Sequence, residues 1–144
     1  RNTMDPAPTQ RRLRDPAHQG TADHQRLAQQ LSDVVDGRQI LSPAKFIEMM
    51  GLDIRSFTSN AHVHWRTVTH SPGAESVQSH IRMNLDVLAA VTAVSGGALQ
   101  DAIFWYRNNP LALFDYKTVE MLVAEGKAAD VLGLLETYQA GFVG

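Results

Sequence analysis

Five apolar residues at helical spacing, Val77, Ile81, Leu85, Leu88 and Val91, constrain the fold of this chain more than any other feature. They lie between two breakers, Ser71-Pro72-Gly73 and Ser95-Gly96-Gly97. Gln78, Arg82 and Asp86 fall off the stripe. The pattern predicts an amphipathic helix from about Ala74 to Val94. A helix of that length is stable chiefly through the partners that cover its apolar face.

Those partners are legible on both sides. Leu27, Leu31, Val34 and Val35 recur at helical spacing between Asp23 and about Asp36, and Gly37 ends that run. Ser42-Pro43 is an N-cap followed by proline at the first helical position, and the helix it opens carries Phe46, Ile47, Met49 and Met50 up to Gly51. Asp53 caps a short helix to about Ala61 that buries Ile54 and Phe57, and a further short helix fits His64 to Thr69. After Gly97, helices are expected over about 98–107, 110–114, 117–124 and 127–139. Asn109 before Pro110 forces a turn, Asp115 is the expected cap of the third, and Gly126 ends it. No stretch alternates as a strand does. The expected fold is all-α, with a helix-turn-helix-like lobe over 23–95 and a small helical lobe over 96–144, meeting near Gly96-Gly97. Residues 1–22 mix Pro, Gln, Arg and Asp with little apolar content and read as a disordered tail. Met4 reads as the natural start and Arg1-Asn2-Thr3 as a cloning remnant.

Composition narrows the function. The formal net charge is -2 with 19% charged residues, which excludes strong overall electrostatic capture of nucleic acid. The absence of cysteine removes disulfides, thiolate metal sites and Cys nucleophiles. There is no signal peptide and no apolar run of membrane-spanning length, so a cytoplasmic location is expected. Charge is uneven: residues 1–40 hold six Arg against five Asp, whereas residues 96–144 hold three basic against six acidic groups. The last third therefore suits a basic protein partner better than DNA.

The short helices over 43–72 have the order of a DNA-reading helix-turn-helix. In that reading the recognition helix spans roughly His64–His70. Val63 and Val68 hold it to the core, His64, Arg66, Thr67 and His70 face outward, and Arg55 and Ser56 contact the phosphate backbone. The competing reading is a packing subdomain whose exposed side binds nothing. For Trp65 the bulk of the side chain argues for the core, with base stacking as the alternative.

Catalytic and metal chemistry lack a residue set. His62 and His64, two apart, point to different helix faces and do not chelate together. Glu48, Glu75 and Glu125 are scattered on polar faces, Ser42 and Ser71 sit at cap or turn positions, and Gly96-Gly97 lacks the strand a phosphate loop needs. The chain is read as a non-enzyme without a cofactor or metal.

The C-terminal stretch has its own ordered punctuation: Trp105, Asn109-Pro110-Leu111, Phe114, Lys117-Thr118, Leu122-Val123, Glu125-Gly126, Val131-Leu132, Leu135 and Gly141. Core packing accounts for nearly all of it. The ending is different: Phe142 and Val143 follow a glycine expected to break the last helix. They either fold back on the core or serve a partner. Over about 40 residues this run resembles the toxin-binding module of the Xre/MbcA/ParS antitoxins. It departs from that family at Leu111 to Tyr116, where the family often has glycines and a second proline. The resemblance implies a type II antitoxin that inhibits a RES-domain toxin, an enzyme that consumes NAD or transfers ADP-ribose from it. The antitoxin's end would lie at the toxin's active site, a role carried here by Tyr138, Gly141, Phe142, Val143 and Gly144. It also implies promoter binding through the helix-turn-helix, as a homodimer or within a toxin–antitoxin hetero-oligomer. The alternative is a stand-alone helix-turn-helix regulator whose C-terminal lobe dimerises or senses a ligand.

Overall fold

The computed structural model describes the backbone of residues 16–143 and the side chains of residues 23–138. The described residues are mostly helical, 71% of them. Among the described residues there are eight helices: α1 (Pro16–Leu31), α2 (Pro43–Met50), α3 (Ile54–Ala61), α4 (Trp65–His70), α5 (Glu75–Ser95), α6 (Leu99–Asn108), α7 (Val119–Ala124) and α8 (Ala128–Val143). A two-stranded antiparallel sheet, β1 (Ser32–Val35) and β2 (Arg38–Leu41), follows α1.

The mostly helical structure fits the all-α expectation loosely; the hairpin corrects the expectation that no stretch forms a strand. Val34 and Val35 do not continue α1; they pair with Gln39 and Arg38 across a two-residue loop, Asp36-Gly37. Both loop residues are left-handed, φ 52° and 75°, as the turn matching strand twist requires. Val34 is 66% exposed, so it was never part of a buried stripe. α1 begins at Pro16, inside the stretch read as a tail; residues 1–15 lie outside the described residues.

The caps follow the sequence closely. Ser42 Oγ accepts from Lys45 N at 3.1 Å, with Pro43 opening α2 and Gly51 closing it at φ 71°. Asp53 Oδ1 accepts from Ser56 N at 2.8 Å, which holds the Asp53 carboxyl below the usual carboxylate range. α7 is capped by Thr118, whose Oγ1 accepts from Met121 N at 3.3 Å, and not by Asp115.

α5 is the central helix. Val77, Ile81, Leu85 and Leu88 are wholly buried. α1, α6 and α8 pack against it, and one apolar cluster runs from Leu27 and Leu31 through Phe46, Phe57 and the α5 stripe to Leu122, Val131 and Leu135. The two lobes expected on either side of Gly96-Gly97 thus share a core.

Two polar residues of α5 are built into it. Gln78, expected off the stripe, is buried. Its Oε1 accepts from Leu41 N at 2.9 Å, and its Nε2 donates to Leu41 O at 2.8 Å and to Pro72 O at 2.9 Å. The side-chain amide pairs with β2 as a neighbouring strand would. Asn84 is fully buried. Its Nδ2 donates to His80 O at 2.8 Å and lies 3.2 Å from His80 Nε2, while Tyr106 donates its hydroxyl hydrogen to Asn84 Oδ1.

Candidate nucleic-acid interface and C-terminal module

α3 and α4 are separated by His62, Val63 and His64. His62 makes the corner: it closes α3 in the left-handed region at φ 58°. Its Nε2 lies 2.6 Å from Ala124 O, at the end of α7. His64 starts α4 as its N-cap, with Nδ1 accepting from Arg66 N at 3.1 Å. The two imidazoles thus serve separate structural ends. Among the described residues no three His, Asp or Glu side chains gather as a metal ion would require.

Val68 anchors α4 in the core and Val63 is partly buried against it. His64, Arg66 and His70 are exposed; Thr67 is half-buried. On α3, Arg55 is exposed, and Ser56 is half-buried with its amide held by the Asp53 cap. The six residues expected to meet DNA therefore fall on two adjoining short helices and, for His64, at the N-cap of the second, and four of the six are exposed.

Trp65 overturns the expectation that it is core. It is 50% exposed. It is the first residue of α4, one turn before the buried Val68 and on the same side of the helix, yet at the helix end it stays in solvent. Its indole stacks on the His64 ring at 5.9 Å between centroids and 30° between planes, and the His70 ring lies 6.5 Å away. The Arg66 guanidinium carbon stands 5.6 Å from the indole centroid. Sequence reasoning named the imidazoles and the arginine as outward-facing but missed the aromatic between them. The available signal was position: position 65 is offset from Val68 by three, yet Val63 and Val68 already fill the buried side of so short a helix.

A polar seam joins this region to the C-terminal third. Asn60 Nδ2 donates to Glu120 Oε2 at 2.9 Å. Arg107 Nη1 donates to Gly51 O at 3.1 Å and Met50 O at 3.3 Å, and its Nε sits 3.6 Å from Glu120 Oε1. That last distance is ion-pair range, and the buried Nε–H has no hydrogen-bond acceptor.

In the C-terminal module most of the quoted residues fall at turning points or in the core. Asn109 closes α6 with extended backbone. Leu111 is buried and bridges to Lys117, its amide donating to Lys117 O at 2.9 Å. Leu122, Val123, Val131 and Leu135 are buried, and Gly126 turns the chain at φ 82°. Lys117 Nζ reaches both oxygens of Glu125, at 3.0 and 2.9 Å, and this hydrogen-bonded cation lowers the Glu125 carboxyl from its ordinary value.

Between Leu111 and Lys117 the chain makes a 3₁₀ turn over Ala112–Phe114 and then two consecutive left-handed residues, Asp115 at φ 56° and Tyr116 at φ 62°. A bulky aromatic in that region is uncommon, and the conformation suits glycine. This is the stretch where the sequence departs from the glycine-containing pattern it resembles, and the backbone turns there without the glycines.

α8 runs through Gly141 to Val143, so the expected break at Gly141 is absent from the backbone. Tyr138, expected on the last buried stripe and as a partner contact, is 39% exposed. The side chains of Phe142 and Val143 and the whole of Gly144 lie outside the described residues. No single helix among the described residues is long and apolar enough to cross a membrane.

No protein-family model matches the chain, and no curated protein or solved structure matches it either.

Proposed function

We propose that this chain is an antitoxin of the Xre/MbcA/ParS kind. It inhibits a RES-domain toxin through the C-terminal end of α8 and binds its own promoter through α3 and α4. The toxin's identity rests on the ordered run from Trp105 to Gly141. The observation that carries the reading is that Leu135 is buried on α8 whereas the next three residues, Glu136, Thr137 and Tyr138, are exposed. A helix held in the core up to Leu135 and exposed over the residues that follow, 136–138, suits delivery of a terminal segment to a partner. Around it, the basic groups of residues 96–144 are in ion pairs: Arg107 with Glu120, and Lys117 and Lys127 with Glu125. The net acidic surface that remains favours a basic partner. The DNA part is supported by Arg55 and Arg66, exposed and outside any ion pair among the described residues. In this reading the protein works in the cytoplasm, as a homodimer or in a hetero-oligomer with its toxin.

The test is co-expression with a RES-domain protein encoded beside this chain's gene. The full chain co-purifies with the toxin and restores growth; a chain lacking Phe142 to Gly144 restores it poorly. Equal neutralisation by the truncated chain would sink the role given to the C-terminal end. Promoter binding without any co-purifying toxin would leave a stand-alone regulator. Substituting Arg66→Ala lowers promoter affinity about tenfold or more in a mobility-shift titration and leaves toxin binding intact. Unchanged promoter affinity would remove α4 from the reading role.

A further inference from the structure

The cluster around Trp65 has a composition that groove reading by α4 does not need. An arginine contacting a base edge works without an indole beside it. Here the indole is half exposed and stacked against His64, with the Arg66 guanidinium carbon over the ring at 5.6 Å from its centroid and the His70 ring 6.5 Å away. All four side chains are exposed, and none of the four is in an ion pair among the described residues. Leaving an indole half in water loses hydrophobic stabilisation that burial would supply. The fold leaves it there although the neighbouring Val68 is buried.

We propose that Trp65, with His64, Arg66 and His70, is a stacking site for an unpaired nucleobase and its phosphate. The indole offers the flat apolar surface, and such stacking tolerates any base because every base has a π-face. Arg66, whose guanidinium lies over the ring on a long flexible stem, swings aside to meet the phosphate of the stacked nucleotide. His64 and His70 add polar hydrogen-bonding edges around the ring. The consequence is a preference for DNA in which one base has left the helix, at a bulge, a kink or a single strand. This inference deepens the DNA-binding part of the proposed function and rests on it.

The experiment uses the full chain carrying Trp105→Phe, so that Trp65 is its sole indole. Four probes are titrated: a duplex from upstream of the coding sequence, the same duplex with one bulged nucleotide, the corresponding single strand, and a free deoxynucleoside monophosphate. The bulged duplex is expected to bind about tenfold or more tighter than the paired one and to quench Trp65 emission. Trp65→Ala is expected to abolish that advantage and leave the paired duplex within about twofold; Trp65→Phe keeps most of it. Circular dichroism confirms that each variant is folded. Quenching by the free monophosphate identifies a small nucleotide as a ligand in its own right, whereas quenching by oligonucleotides alone assigns the site to the polymer. Equal affinity for paired and bulged duplexes overturns the stacking site while leaving groove binding in place. Binding of none of the four probes overturns both the stacking site and the DNA-binding reading beneath it.

Discussion

Asn84 shows how much a single buried amide decides. Its Oδ1 accepts the Tyr106 hydroxyl, and its Nδ2 donates to His80 O, which fixes the orientation of the amide. The donor facing His80 Nε2 is therefore an N–H, and that ring nitrogen must be the unprotonated one. Burial drives the Tyr106 hydroxyl strongly upward, so it stays protonated and keeps donating. Tyr106→Phe preserves the ring's packing but leaves Asn84 Oδ1 buried without its donor. The expected loss is about 1–3 kcal/mol in urea unfolding. An unchanged midpoint and slope would mean that the hydroxyl contributes nothing. None of this was legible locally. Asn84 falls on the apolar side of α5, seven after Val77 and four before Leu88, but nothing nearby in the sequence names its partner, and Tyr106 stands 22 positions away in the chain. Gln78 misled in the same way, because its partner is the backbone of β2. Positions whose partners are sequence neighbours read correctly: Ser42 caps three residues ahead, as does Asp53.

Among the elements, the hairpin was the one that periodicity hid. Val34 and Val35 extend the spacing of Leu27 and Leu31, so a helical count absorbs them, yet Asp36-Gly37 is a strong two-residue hairpin signal. An isolated two-stranded hairpin is marginal in water. This one is held by the Gln78 amide on β2 and by Lys45 Nζ, which donates to Ser32 O at 2.8 Å. Gln78→Ala leaves the Leu41 amide and carbonyl without these partners. The prediction is a loss of about 2 kcal/mol, together with faster hydrogen exchange at the Leu41 amide. Leu41 exchanging no faster than in the wild type would show that α5 does not pin the strand. The candidate interface was legible as a pair of short helices because Asp53, Gly51 and the Ser71-Pro72-Gly73 breaker delimit it. The exposure of Trp65 was harder to read, since position 65 shares a side of the helix with the buried Val68 and only the shortness of α4 argues that this side is already filled.

At the scale of the whole molecule, His80 makes stability depend on pH. It lies edge-on to Phe46 and Phe57, with ring centroids at 6.5 and 5.3 Å, and burial lowers it from 6.5 to about 4, with a smaller contribution from His62. In the unfolded chain the imidazole takes its proton near 6.5, whereas in the folded chain it does so only near 4. Between those values the unfolded state binds more protons, so this contribution is fully present above 6.5 and drains away as pH falls towards 4. The total is about 3 kcal/mol. Urea midpoints measured from pH 7.5 to 4.5 should fall across that window, and His80→Phe should flatten the slope. A wild-type midpoint constant from pH 7 to 5 would contradict the assignment. The seam that ties Asn60, His62 and the end of α2 to Arg107, Glu120 and Ala124 has a different kind of consequence. It makes the last third of the chain a poor item of exchange. A chimera joined at Gly96-Gly97 inherits half of each polar pair and half of the apolar cluster. Recombination between relatives should therefore succeed only where both halves travel together.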